Sequence, residues 1–153
     1  MQTVTKLTQK QIVKSLFSFI FGAVGFYLVF LIMILIHEHP SGFSAYFLTQ
    51  RKQLITIAVS VVVVMTMLYC YFFFENKAVL AKLLKTTELF LILFLGVFSV
   101  FLLSVYVNVF ARPVAFVALM CATFFHRRDA IFVNTIFSLF MLVIDNFAGL
   151  TNI

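Results

Sequence analysis

The stretch Ser15–Ile36, SLFSFIFGAVGFYLVFLIMILI, holds 22 residues without a charge. As a helix rising 1.5 Å per residue it extends about 33 Å, and a bilayer core of about 30 Å needs roughly 20 apolar residues. It therefore reads as a membrane span. Lys6, Lys10 and Lys14 precede it, as they would in a secretory signal peptide, but its apolar run exceeds the roughly 7–15 residues of a signal-peptide core. The sequence continues into His37-Glu38-His39-Pro40 rather than a small-residue cleavage site. The reading is an uncleaved anchor helix, ended by the loop residues Pro40 and Gly42.

The rest of the chain shares this bias. Of 153 residues, 64% are hydrophobic and 10% charged, with 22 Phe and no Trp, and the mean hydropathy is +1.16. A soluble domain averages roughly 45–50% apolar and about 25% charged residues, so there is too little polar surface here for a water-facing globule. The polar residues are scattered through short loops, which excludes a soluble catalytic domain within this sequence.

Four further apolar segments follow the short outer loop 37–53 and make up a four-helix unit over 54–150. Leu54–Phe74 contains the β-branched run Val61–Val64, but in lipid only helices or closed barrels satisfy the backbone, so helix is expected. Residues 75–88 mix Lys77, Lys82 and Lys85 with apolar residues at helical spacing and read as an amphipathic cytoplasmic segment at the interface. Leu89–Phe110 is a complete span. Arg112-Pro113 then interrupts the apolar run, with Pro113 suited to a first helical turn. The segment 113–126 is short for a lipid-facing span. Ala111, Ala115, Ala118 and Ala122 recur every three or four residues, a ridge of small side chains that admits a close neighbour. A short helix held inside the bundle is expected, with a re-entrant loop as the alternative. The last span, 130–149, follows the polar turn His126-Arg127-Arg128-Asp129. The fold expected is an all-α polytopic membrane bundle of about five transmembrane helices, the fourth one short.

The charge of +6 would suggest nucleic acid in a soluble domain, but in a membrane protein it reports topology. With the tail 1–14 inside, cytoplasmic segments hold Lys6, Lys10, Lys14, Lys77, Lys82, Lys85, Arg127 and Arg128, whereas outer segments hold only Arg51, Lys52 and Arg112. Basic residues collect inside, so the N-terminus is expected in the cytoplasm and the C-terminus outside. The partners expected are the lipid bilayer and other membrane helices or a cytoplasmic domain, with no nucleic acid.

Few residues carry chemistry. His37-Glu38-His39 offers ligand types suited to zinc or copper, but residues i and i+2 do not share a helix face and no third ligand lies near, so neither a metal nor a cofactor is expected. Asn134 and Asp145 are the polar residues deepest in the last span. Such residues are ligand or relay candidates by default. A helix-to-helix hydrogen bond for Asn134 and an interfacial place for Asp145 are the plainer readings. Asp129 is expected to be the N-cap of a helix starting at Ala130, with the charged turn alternatively a contact surface for a cytoplasmic partner. Cys70 and Cys121 lie within apolar runs and read as packing residues. No phosphate loop and no Ser/His/Asp set occurs, so no catalytic residue is assigned.

Arg51–Leu150 resembles the first four helices of the membrane domain in the 7TM-HD family, bacterial proteins in which seven transmembrane helices precede a cytoplasmic HD-type phosphohydrolase domain. The resemblance rests on several features in order. They are the aromatic span end at Tyr69 and Tyr71–Phe74, the basic entry Leu83-Leu84-Lys85, Tyr106, the opening Arg112-Pro113-Val114-Ala115, and the turn Phe125-His126-Arg127-Arg128-Asp129-Ala130-Ile131. In that family an arginine followed shortly by alanine is common at this inner turn, and Arg128 with Ala130 falls there. The resemblance implies an N-terminal anchor followed by helices that enter from outside, in the bacterial inner membrane. It also implies a non-catalytic anchor or sensor role, because hydrolysis of cyclic dinucleotides belongs to the HD domain. On this reading the sequence is expected to be the front part of something larger. The alternative is a small transporter or transport subunit, such as the substrate-binding membrane component of a vitamin importer, with Asn134 and Asp145 as its ligand candidates.

Overall fold

The structure, a computed structural model, describes residues 8–37, 51–107 and 114–148. These residues form only helices and their connections: α1 (Gln9–His37), α2 (Arg51–Glu75), α3 (Lys77–Ala81), α4 (Leu83–Tyr106), α5 (Val114–Phe124) and α6 (Arg127–Ala148). Helices α1, α2 and α4 are each long and apolar enough to cross a membrane. Helix α5, with 11 residues, reaches about 16 Å. Helix α6 has 22 residues but carries Arg127, Arg128 and Asp129 at one end and Asp145 near the other.

Local chemistry sets the helix bounds. Helix α1 begins before its apolar run because the Thr8 amide donates to Gln11 Oε1 at 2.9 Å, while the amides of Gln11 and Ile12 bond the Thr8 carbonyl. This is the backward half of a capping box, which satisfies a donor the helix leaves open. The segment 75–88 is not one interfacial helix. It divides at Lys82, which is extended at φ −110° and ψ 106°, into the five-residue α3 and the opening turns of α4. The division holds because Val79 and Leu80 are buried and the buried Thr86 hydroxyl donates to the Val79 carbonyl at 3.1 Å.

Helices α1, α2, α6 and α4 form a four-cornered bundle in which α1 and α6 both touch α2 and α4. A column of aromatic rings fills its middle. Phe26 stacks between Phe94 (centroids 4.0 Å apart) and Phe140 (4.7 Å), and Phe30, Phe101 and Phe137 are fully buried beside them. The outer surface is apolar too, with Phe21, Ile55, Leu91, Leu119 and Leu142 exposed, as lipid contact requires. Among that surface's polar residues, Thr56, Thr66, Thr87, Thr123, Thr135 and Ser138 each donate a hydroxyl hydrogen bond to the carbonyl four residues earlier, at 2.7–3.1 Å.

Helix α5 lies against α4 and α6 at the edge of the bundle rather than inside it. Among its described side chains Val117 and Cys121 are buried, whereas Ala115 and Ala122 are exposed and Ala118 is half-buried. Close approach comes from the opposite helix. Gly96 of α4 lacks a side chain where Val117 Cγ2 presses in, and a Cβ there would collide with it and lie 3.1 Å from Phe137 Cε2. Among the described residues, the close approach of α5 to α4 is thus made by Val117 against Gly96 rather than by Ala115 or Ala122. Ala111 lies outside the described residues.

Candidate functional site

One end of the bundle carries a hydrogen-bonded cluster of polar side chains. Helix α2 ends there, α3 crosses it, α4 and α6 begin there and α5 ends there. Asp129, only 4% exposed, accepts hydrogen bonds from the Tyr71 hydroxyl at 3.0 Å and from Asn76 Nδ2 at 2.7 Å. Both carboxylate oxygens are therefore engaged by donors from another part of the chain. The Tyr71 ring is held flat on Phe132, centroids 3.8 Å apart, which fixes the hydroxyl's direction. Beside this network Arg128 pairs with Glu75 at 2.8 Å.

Asp129 is consequently not the N-cap of a helix beginning at Ala130. The helix begins at Arg127, the Ala130 amide bonds the His126 carbonyl, and Asp129 sits in the first turn, where the helix dipole favours a carboxylate. Its partners lie 53 and 58 residues away, so no local pattern announced them. Asn76, directly after a span ending in Glu75, was the one polar residue whose position could have drawn attention.

A cleft of about 350 Å³ opens next to Asp129, lined by Asn76, Lys82, Lys85, Thr123 and His126 among others. Lys85 is fixed in place. Its ammonium donates to Glu88 Oε2 at 2.8 Å and to the Phe124 carbonyl at 3.5 Å, and lies 5.7 Å from the centre of the Phe125 ring. A larger groove of about 410 Å³ lies between α1 and α2, and its walls, which include Phe19, Ala23, Tyr27, Val61 and Met65, are predominantly apolar.

The remaining candidate residues are not brought together. Asn134 and Asp145 are both half-buried on α6, eleven residues and so about 16 Å apart along its axis. Asn134 Oδ1 is buried without a hydrogen-bond partner among the described residues. Arg127 and Arg128 are exposed and Ala130 is buried. Arg112, Pro113, Glu38 and His39 lie outside the described residues. Among the described residues no group of three His, Cys, Asp or Glu could hold a metal ion.

No protein-family model, curated protein or solved structure matches the chain. The functional reading therefore rests on the geometry above.

Proposed function

We propose that the chain is a non-catalytic module of a bacterial cytoplasmic membrane, an anchor or sensor of the kind implied by its resemblance to the 7TM-HD membrane domain. In this reading the polar end faces the cytoplasm, where it meets a partner domain. The observation that carries it is the contrast between an aromatic-filled middle and the hydrogen-bonded polar cluster around Asp129 at one end of the described bundle. Stacked rings such as Phe26, Phe94 and Phe140 fix the helices against one another instead of lining a polar path. At the polar end Glu75, Glu88 and Asp129 each bind a neighbouring side chain, which is the behaviour of structural rather than reacting carboxylates.

Membrane integration and orientation are tested together. The chain should resist carbonate extraction. In a background with Cys70 and Cys121 replaced by alanine, Lys52→Cys should react with an impermeant maleimide in intact cells, and Arg127→Cys only after permeabilisation. The reverse labelling pattern would overturn the orientation, and extraction by carbonate would overturn the membrane reading.

A transport subunit is the second reading, and the orphaned Asn134 Oδ1 is what favours it, since a buried acceptor without a donor is costly unless something supplies one. If the chain carries a solute, uptake should depend on it and fall in Asn134→Leu. The anchor reading expects uptake to be indifferent to that substitution.

A further inference from the structure

The cleft beside Asp129 has a chemistry that the anchor reading does not use. We propose that it binds a phosphate-bearing anion at the membrane surface, with Lys82 and Lys85 as the cationic contacts. The inference rests on the reading of the chain as membrane-spanning.

Three observations converge on it. The first is charge. Lys82 and Lys85 stand on the wall of the cleft with His126; Asp129 on that wall is buried with its oxygens turned to Tyr71 and Asn76. Arg128, paired with Glu75, and Lys85, paired with Glu88 at 2.8 Å, each add little net charge. Lys82 has no ion-pair partner among the described residues, so the charge open to a ligand is that of Lys82. The second is preorganisation. An ammonium has three donors; Glu88 and the Phe124 carbonyl take two from Lys85, leaving the third for a ligand on a side chain already held in place. Lys82 is exposed and is the extended residue that caps both α3 and α4, so its backbone is anchored while its side chain is free to reach a ligand. The third is depth. Leu84, between Lys82 and Lys85 in sequence, is 75% exposed, and Phe74 at the end of α2 is 76% exposed. Apolar side chains turned outward next to lysines place this end where hydrocarbon gives way to head groups.

A lipid head group and a soluble phosphate compound share this chemistry, and the experiment separates them. The full chain, purified in mild detergent, is offered phosphatidylglycerol, phosphatidylcholine or inorganic phosphate, and the bound fraction is read by native mass spectrometry. Phosphatidylglycerol should be retained over phosphatidylcholine. Lys82→Gln should lower that retention about fivefold, and the double substitution with Lys85→Gln about twenty-five-fold. Lys52→Gln, at the opposite end of α2, should leave it unchanged. Competition by millimolar inorganic phosphate assigns the site to a soluble phosphate source; retention that resists it assigns the site to lipid. Because Lys85 also braces Glu88, Lys82→Gln alone decides the matter if the double variant melts early. Equal retention of both lipids with no effect of inorganic phosphate, or retention indifferent to Lys82→Gln, overturns the proposal. A chain that resists carbonate extraction yet shows either result loses this inference only; release by carbonate removes the membrane reading beneath it.

Discussion

Tyr71 and Asp129 are 58 residues apart in sequence and 3.0 Å apart in space, and their hydrogen bond ties the end of α2 to the beginning of α6. Asn76 closes on the other carboxylate oxygen at 2.7 Å. One buried acid thus organises the polar end. Asp129→Ala should cost about 2–4 kcal/mol, because two half-buried donors lose their buried acceptor together. Tyr71→Phe, which removes one donor and leaves the carboxylate its bond to Asn76, should cost about 1 kcal/mol. Unfolding of the detergent-solubilised chain measures both, and equal losses would contradict the central role given to Asp129.

The ion pair between Glu75 and Arg128 makes the contrasting case. It is as short as 2.8 Å, but its side chains are 41% and 74% exposed. Exposed pairs contribute about 0–1 kcal/mol and are screened by salt. Glu75→Gln should therefore change stability by less than about 1 kcal/mol, with the difference vanishing in high salt. A loss as large as that of Asp129→Ala would show that the pair is coupled to the buried network.

Gly96 and Val117 supply a size test. Gly96→Ala forces a Cβ into Val117 Cγ2, an overpacking expected to cost about 1–3 kcal/mol. Adding Val117→Ala should recover part of the loss by making room. If the two substitutions simply add, α5 does not pack on α4 as described.

The aromatic column predicts coupling within the core. Phe26→Ala should cost about 3–5 kcal/mol, and the double change with Phe140→Ala should cost less than the sum, by about 0.5–1.5 kcal/mol for their parallel contact. In lipid this loss comes mainly from packing, because the hydrophobic drive between helices is weak there. An additive pair would argue against the stack.

The long helices were legible because the property that makes them, an unbroken apolar run, is local. Ser15–Ile36 announces α1 from composition alone, and even its earlier start rests on a short-range pair, Thr8 with Gln11. What escaped was set by distant contacts. The break at Lys82 follows from where Val79 and Leu80 find burial, so residues 75–88 look like one amphipathic helix until the bundle is assembled. Asp129 looks like a cap for the same reason, since the partners that bury it come from α2 and the residue after it. The alanines of α5 show the converse: small residues invite close approach, but a glycine on α4 met a valine instead, and nothing near Val117 in sequence marks that choice.

The hydroxyls on the outer surface have a wider implication. Thr56, Thr66, Thr135 and Ser138 each return their hydrogen to their own helix, so the flank they occupy is electrically insulated. A lipid tail sliding along it meets satisfied donors, and a threonine there is close to a valine in what the bilayer senses.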